Sequence, residues 1–133
     1  ITYGGGWNLI GVPDGTVLPP TEGLYTYQNG SYQSATTTRA GTGYWASFPN
    51  PTNSIILPAS TSAPPARVTL PSGQWAMVGN PYSVPANISG ADIFYGYDPE
   101  HGYAAVTTLA PGLGAWAYST SGGTAVVAPA LLR

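Results

Sequence analysis

The most concentrated group of ionisable side chains in this sequence is Asp98-Pro99-Glu100-His101, with Asp92 a little upstream. Carboxylates beside an imidazole are the raw material of metal centres, glycosidases and acid–base catalysts. Calcium takes about six to eight oxygen ligands, more than these acids supply unless carbonyls make up most of the shell. Glycoside hydrolysis needs two carboxylates held across the scissile bond, and Asp92, Asp98 and Glu100 lie together in one loop region with nothing beyond acidity to recommend them. His101 is the single histidine, so a Ser-His-Asp triad would have to use it, and no strand-Ser-helix elbow accompanies it. Gly4-Gly5-Gly6 lacks the Lys and the following helix of a phosphate loop and reads as a hinge. Asp, Pro and the following Gly102 are turn formers, so the acidic cluster reads as a solvated turn between two strands. The sequence therefore predicts a protein that is not an enzyme, with no catalytic residues, no cofactor and no metal.

Charge is scarce throughout: 6% of the 133 residues are charged and the net charge is −2, against about 25% charged in an ordinary soluble domain. The basic residues are Arg39, Arg67 and Arg133, too few to neutralise a run of phosphates, which excludes nucleic acid as a partner. Gly 18 and Pro 14 would suit a disordered chain, but 12% aromatics and a small net charge do not. Thr, Val, Ile, Tyr and Trp between Gly, Pro, Asn and Asp are the composition of short strands and turns. No apolar run reaches the roughly 18 residues of a membrane span. With no Cys, disulfides say nothing of the compartment. Poverty in Lys and wealth in Thr, Ser, Gly and Tyr suggest an extracellular or cell-surface protein, and the start at Ile1 is expected of a processed protein or a piece of a longer one.

The elements that must carry any function are repeated. Trp7-Asn8-Leu9-Ile10-Gly11-Val12-Pro13 returns as Trp75-Ala76-Met77-Val78-Gly79-Asn80-Pro81, and Leu24-Tyr25-Thr26-Tyr27 as Phe94-Tyr95-Gly96-Tyr97. Gly41-Thr42-Gly43-Tyr44-Trp45-Ala46 returns as Gly112-Leu113-Gly114-Ala115-Trp116-Ala117, and Ile55-Ile56-Leu57-Pro58-Ala59 as Val126-Val127-Ala128-Pro129-Ala130. The expected organisation is a repeat over 1–60, a Ser/Pro linker over 61–66 and a second repeat over 67–133. Because about 60 residues bury little surface alone, the two repeats are expected to share one core. No helical period survives the Gly, Pro and β-branched residues, so the predicted fold is an all-β sandwich or barrel with internal pseudo-twofold symmetry.

Alternation along the strands sorts the side chains. Trp7-to-Val12 is apolar on both faces, as expected of an interior strand covered on two sides. Trp7, Trp45, Trp75 and Trp116 recur and are expected in the core. The opposite face of the Trp45 strand changes between repeats, which makes Tyr44 and Phe48 candidates for contact with a partner. Gly43 and Gly114, each shortly before a Trp, predict a bulge or a close backbone approach.

The pairing of Trp7-Asn8-Leu9-Ile10-Gly11-Val12-Pro13 with Gly41-Thr42-Gly43-Tyr44-Trp45 resembles the "GWNLIG-P … GxGYW" β-repeats of secreted and cell-surface bacterial proteins. The resemblance covers both halves, the second departing from it at Ala76-Met77 and Ala115. It implies an extracellular structural or adhesive module. Low charge removes the repulsion that keeps domains apart, and a duplicated chain can repeat its internal contact head to tail between copies. The leading expectation is thus a self-assembling subunit of a surface filament or layer. Its contacts with itself would use Ile1, Thr2, Tyr3, Val126, Val127, Leu131 and Leu132 on terminal strands, together with Tyr44 and Phe48. The alternative is a carbohydrate-binding or adhesive module of a larger secreted protein, with exposed Tyr or Trp stacking on glycans.

Overall fold

The computed structural model describes residues 2–19, 21–28, 30–52, 65–98 and 100–130. These residues form an all-β, sandwich-like fold of three four-stranded antiparallel sheets, with no helix among them. The first sheet consists of β1 (Gly6–Ile10), β2 (Gly23–Gln28), β3 (Ser31–Ser34) and β4 (Tyr44–Phe48), in the order β1-β4-β2-β3. After β5 (Ala66–Leu70), the second sheet takes β6 (Gln74–Gly79), β8 (Ile93–Asp98), β9 (Gly102–Ala105) and β11 (Gly114–Ser119), in the order β6-β11-β8-β9. The third sheet joins β10 (Thr108–Leu109), β7 (Ala86–Ser89), β12 (Gly123–Pro129) and β5, in that order.

The first two sheets carry their aromatics in the same register. Leu9 and Tyr25 flank Trp45 across the first sheet, and Met77 and Tyr95 flank Trp116 across the second. In each sheet a hairpin closes the outer edge, pairing Tyr27 with Tyr32 and Tyr97 with Tyr103.

Buried apolar side chains form two clusters among the described residues. Ala76, Val78, Phe94, Ala115 and Ala117 of the second sheet pack on Leu70, Ala86, Ile88, Leu109, Ala125 and Val127 around the third. The inward face of the first sheet gathers Tyr3, Ile10, Val12, Tyr44, Ala46 and Phe48.

At the seam between the first and second sheets backbone meets backbone and no side chain fits. A Cβ on Gly11 would lie 2.5 Å from the Gly79 backbone, and one on Gly79 would lie 2.5 Å from Gly11. A Cβ on Gly43 would strike the Val78 carbonyl, and one on Gly114 would meet the Ile10 oxygen at 2.8 Å. The close approach expected at these two glycines is present, and it is made to the other half of the chain. Hydrogen bonds lock the seam: the Gly79 N–H donates to Gly41 O at 2.8 Å, Gly43 N–H to Met77 O at 3.1 Å and Gly11 N–H to Gly112 O at 2.9 Å.

Several sequence expectations are corrected here. β1 and β6 are edge strands of their sheets, although their C-terminal ends are covered on both faces, where Leu9 and Ile10 are both buried. Ala66, placed in the linker, already belongs to β5; positions 61–64 lie outside the described residues. Val126 and Val127 belong to β12, which pairs with β7 on one side and β5 on the other. A strand hydrogen-bonded on both sides offers no free edge to a neighbour. Ile1, Leu131 and Leu132 lie outside the described residues.

Candidate functional site

The faces of the Trp strands are the reverse of those expected. Phe48, Tyr44 and Ala46 point into the core and are buried, while Trp7 is 48% exposed and Trp75 37%, with Trp45 and Trp116 half-buried. Tyr44 cannot reach a partner, because its hydroxyl accepts the Arg39 N–H at 2.9 Å inside the fold. Phe48 is stacked on Tyr3, with ring centroids 5.8 Å apart and planes 9° from parallel. Tyr3 is itself buried, its hydroxyl donating to Gly112 O at 2.6 Å, and Val127 is buried too, so neither is a contact surface; Thr2 is exposed.

The physical reason is volume. Ala46, Ala115 and Ala117 leave room on the inner faces, which the first sheet fills with the rings of Tyr3, Tyr44 and Phe48 and the second with Phe94 and the layer beneath. The larger indoles are left on the outer faces, where they pack on one another and on tyrosines.

That outer aromatic array has matched contacts on the two sheets. Trp7 meets Trp45 edge to face at 6.4 Å and 90°, and Trp75 meets Trp116 at 6.3 Å and 87°. Tyr25 lies 6.2 Å from Trp7, and Tyr95 lies 5.9 Å from Trp75. Each hairpin then reaches across the seam. Tyr97 meets Trp45 at 5.0 Å, and Tyr27 meets Trp116 at 5.3 Å. The hairpin tyrosines Tyr32 and Tyr103 stand outermost, 56% and 55% exposed.

Two open recesses result. One, of about 480 Å³, is walled by Trp7, Tyr25, Tyr32, Trp45, Tyr97 and Tyr103. The other, of about 440 Å³, is walled by Tyr27, Trp75, Tyr95, Tyr103 and Trp116. Both fall in the usual volume range of small-ligand sites, roughly 300–1,000 Å³. Among the described residues no charged side chain lines either one; the polar groups these rings offer are phenol hydroxyls and indole N–H. Charged residues converge elsewhere, in a third depression lined by Asp14, Arg39 and Arg67.

Asp98 and Asp92 are held by hydrogen bonds to nearby loop residues. Asp98 accepts the Glu100 N–H at 2.9 Å and lies 3.0 Å from His101 Nδ1, contacts that hold its carboxyl below the usual carboxylate range. Asp92 accepts both the hydroxyl and the N–H of Thr120, at 2.7 and 2.9 Å, which lowers its pKa too. No group of three or more His, Asp or Glu side chains able to hold a metal occurs among the described residues.

Comparison of the chain with protein-family models, with curated proteins and with solved structures returned no match in any of the three. The sequence signal of the aromatic face is the spacing of Tyr25 with Tyr27, repeated by Tyr95 with Tyr97, which sets two rings on one strand face. A second signal is Ser31-Tyr32-Gln33-Ser34, a strand with no apolar side chain opposite its tyrosine and therefore exposed on both faces.

Proposed function

We propose that this protein is an extracellular adhesive module that holds a neutral glycan on its aromatic face. The carrying observation is the pair of uncharged recesses walled by Trp and Tyr rings. A pyranose ring has a C–H face that stacks on indole or phenol and hydroxyls at its rim that need hydrogen-bond partners. Amphipathic Tyr and Trp offer both surfaces, and a few polar groups in an apolar recess are enough to orient a ligand. Exposed rings already braced edge to face by their neighbours lose little side-chain freedom on binding. The resemblance to repeats of secreted and cell-surface bacterial proteins supports an extracellular setting. A glycan array probed with the wild-type chain and with Trp7→Ala and Trp75→Ala tests the reading. Binding to neutral glycans that falls in both variants supports it; binding unchanged by both variants overturns it.

The second reading is a self-assembling subunit of a surface filament or layer. The observation in its favour is the same aromatic face, a large exposed apolar surface of the kind that marks an interaction site, on a chain with 6% charged residues. In this reading the face is buried between copies, in place of exchange of terminal strands. Light scattering over a range of concentrations, with negative-stain microscopy of the same samples, separates the two: polymers dissolved by Trp7→Ala favour assembly, and a monomer that binds sugar favours adhesion.

A further inference from the structure

We infer that the two aromatic recesses are subsites of one cleft, occupied by a single continuous, uncharged polysaccharide chain. This rests on the glycan-binding reading above and adds to it the size, charge and repetitive nature of the ligand.

The first ground is that the recesses match. Each has a Trp pair crossed at nearly a right angle, 6.4 Å apart in one and 6.3 Å in the other, with a tyrosine set beside the outer Trp. Their volumes are about 480 and 440 Å³. A ligand that fills both equally must present the same chemistry twice. A polymer of repeating sugar units does so along a single chain.

The second ground is that they adjoin. Tyr103 lines both, and Tyr32, which lines the Trp7 recess, lies 6.2 Å from Trp116 of the other. A chain leaving one recess passes over an aromatic wall into the next. Because each recess is completed by a hairpin from the opposite sheet, through Tyr97 in one and Tyr27 in the other, the distance between them is set by the fold.

The third ground is charge. Among the described residues, the charged cluster of Asp14 with Arg39 and Arg67 lies in a depression outside both recesses. A chain carrying a carboxylate or sulfate on each unit would bury those charges against rings that offer no cation, at a desolvation cost.

A linked second contact binds at the effective concentration set by the linkage, so a ligand long enough to span both recesses gains affinity without any new kind of contact. Isothermal titration calorimetry of the full chain with cello-oligosaccharides and malto-oligosaccharides, from disaccharide to about octasaccharide, reads this gain. The expected result is weak binding of two short sugars per chain, giving way to one long sugar bound at least about tenfold more tightly. Trp75→Ala removes the gain and leaves short-sugar binding at the other recess, and Trp7→Ala does the converse. Tyr103→Ala, at an exposed hairpin position, lowers long-chain affinity and serves where a Trp variant loses its native circular dichroism. Short sugars that bind with no gain over length, or two long chains per protein, overturn the single-cleft inference and leave glycan binding standing. No heat with either series, together with a mass that grows with concentration, overturns both.

Discussion

Trp45 of the first sheet and Tyr97 of the second meet near edge to face across the seam, with ring centroids 5.0 Å apart and planes at 72°. They are far apart in sequence, and the contact exists only because β8 and β9 carry the hairpin of one sheet over the outer face of the other. Aromatic pairs in this geometry contribute about 0.5–1.5 kcal/mol beyond their area. A double-mutant cycle of Trp45→Ala and Tyr97→Ala by urea denaturation should return a coupling energy of that order. A coupling near zero would mean that the hairpin does not brace the recess in solution.

The inner and outer faces of the sheets should respond to truncation very differently. Phe48 is fully buried on Tyr3, so Phe48→Ala should cost about 3–5 kcal/mol. Trp7 is half exposed, so Trp7→Ala should cost about 1 kcal/mol while abolishing whatever binds its recess. Equal losses of stability in the two variants would contradict this assignment of faces.

Gly11 and Gly79 leave no space for a methyl group, since the atoms that each Cβ would strike belong to the backbone of the other strand. Gly11→Ala should destabilise the fold by about 2 kcal/mol or more by forcing the strands apart. Because the seam also sets the hairpins over the opposite sheet, the near-ultraviolet circular dichroism of the tryptophans should change with it. A variant with wild-type stability and spectrum would show that the seam can open freely.

Stability should be flat through neutral pH and fall on the alkaline side. Burial pushes the hydroxyls of Tyr3, Tyr44 and Tyr82 up from the ordinary value of 10.0. The native state therefore keeps these protons to higher pH than the unfolded chain does, so unfolding releases protons above pH 10 and stability falls as pH rises from there. Below pH 10 the contribution is fully present. Tyr3→Phe should lower stability at pH 7 by about 1 kcal/mol through the lost hydrogen bond to Gly112 O, and should make the alkaline fall shallower. Urea denaturation at a series of pH values up to about 11.5 reads both effects; an alkaline slope identical to wild type would remove Tyr3 from the linkage.

What the sequence determined by itself was local. Gly, Pro and Asn between short runs of Thr, Val, Tyr and Trp specify strands and turns, because they fix where the backbone can bend and where it can pair. Period-two alternation then sorts side chains correctly into sets: Trp45 with Ser47, and Tyr44 with Ala46 and Phe48. The acidic turn at Asp98 and the close approach at Gly43 and Gly114 were legible for the same reason, since each depends on the chemistry of a few adjacent residues.

Which set faces the core was decided only by the tertiary structure. Both faces of these strands are apolar, so transfer energy alone does not choose between them, and recurrence of the tryptophans in both halves suits a core and a binding surface equally. The choice falls to packing. The inner faces combine alanines with the smaller rings of Tyr44, Phe48 and Phe94 and close on the layer beneath, whereas the larger indoles of Trp7, Trp45, Trp75 and Trp116 pack against one another on the outside. The recesses depend on one step more. Each needs a hairpin from the other sheet, and only the glycine seam, where residues distant in sequence pass within contact distance, sets that hairpin in place.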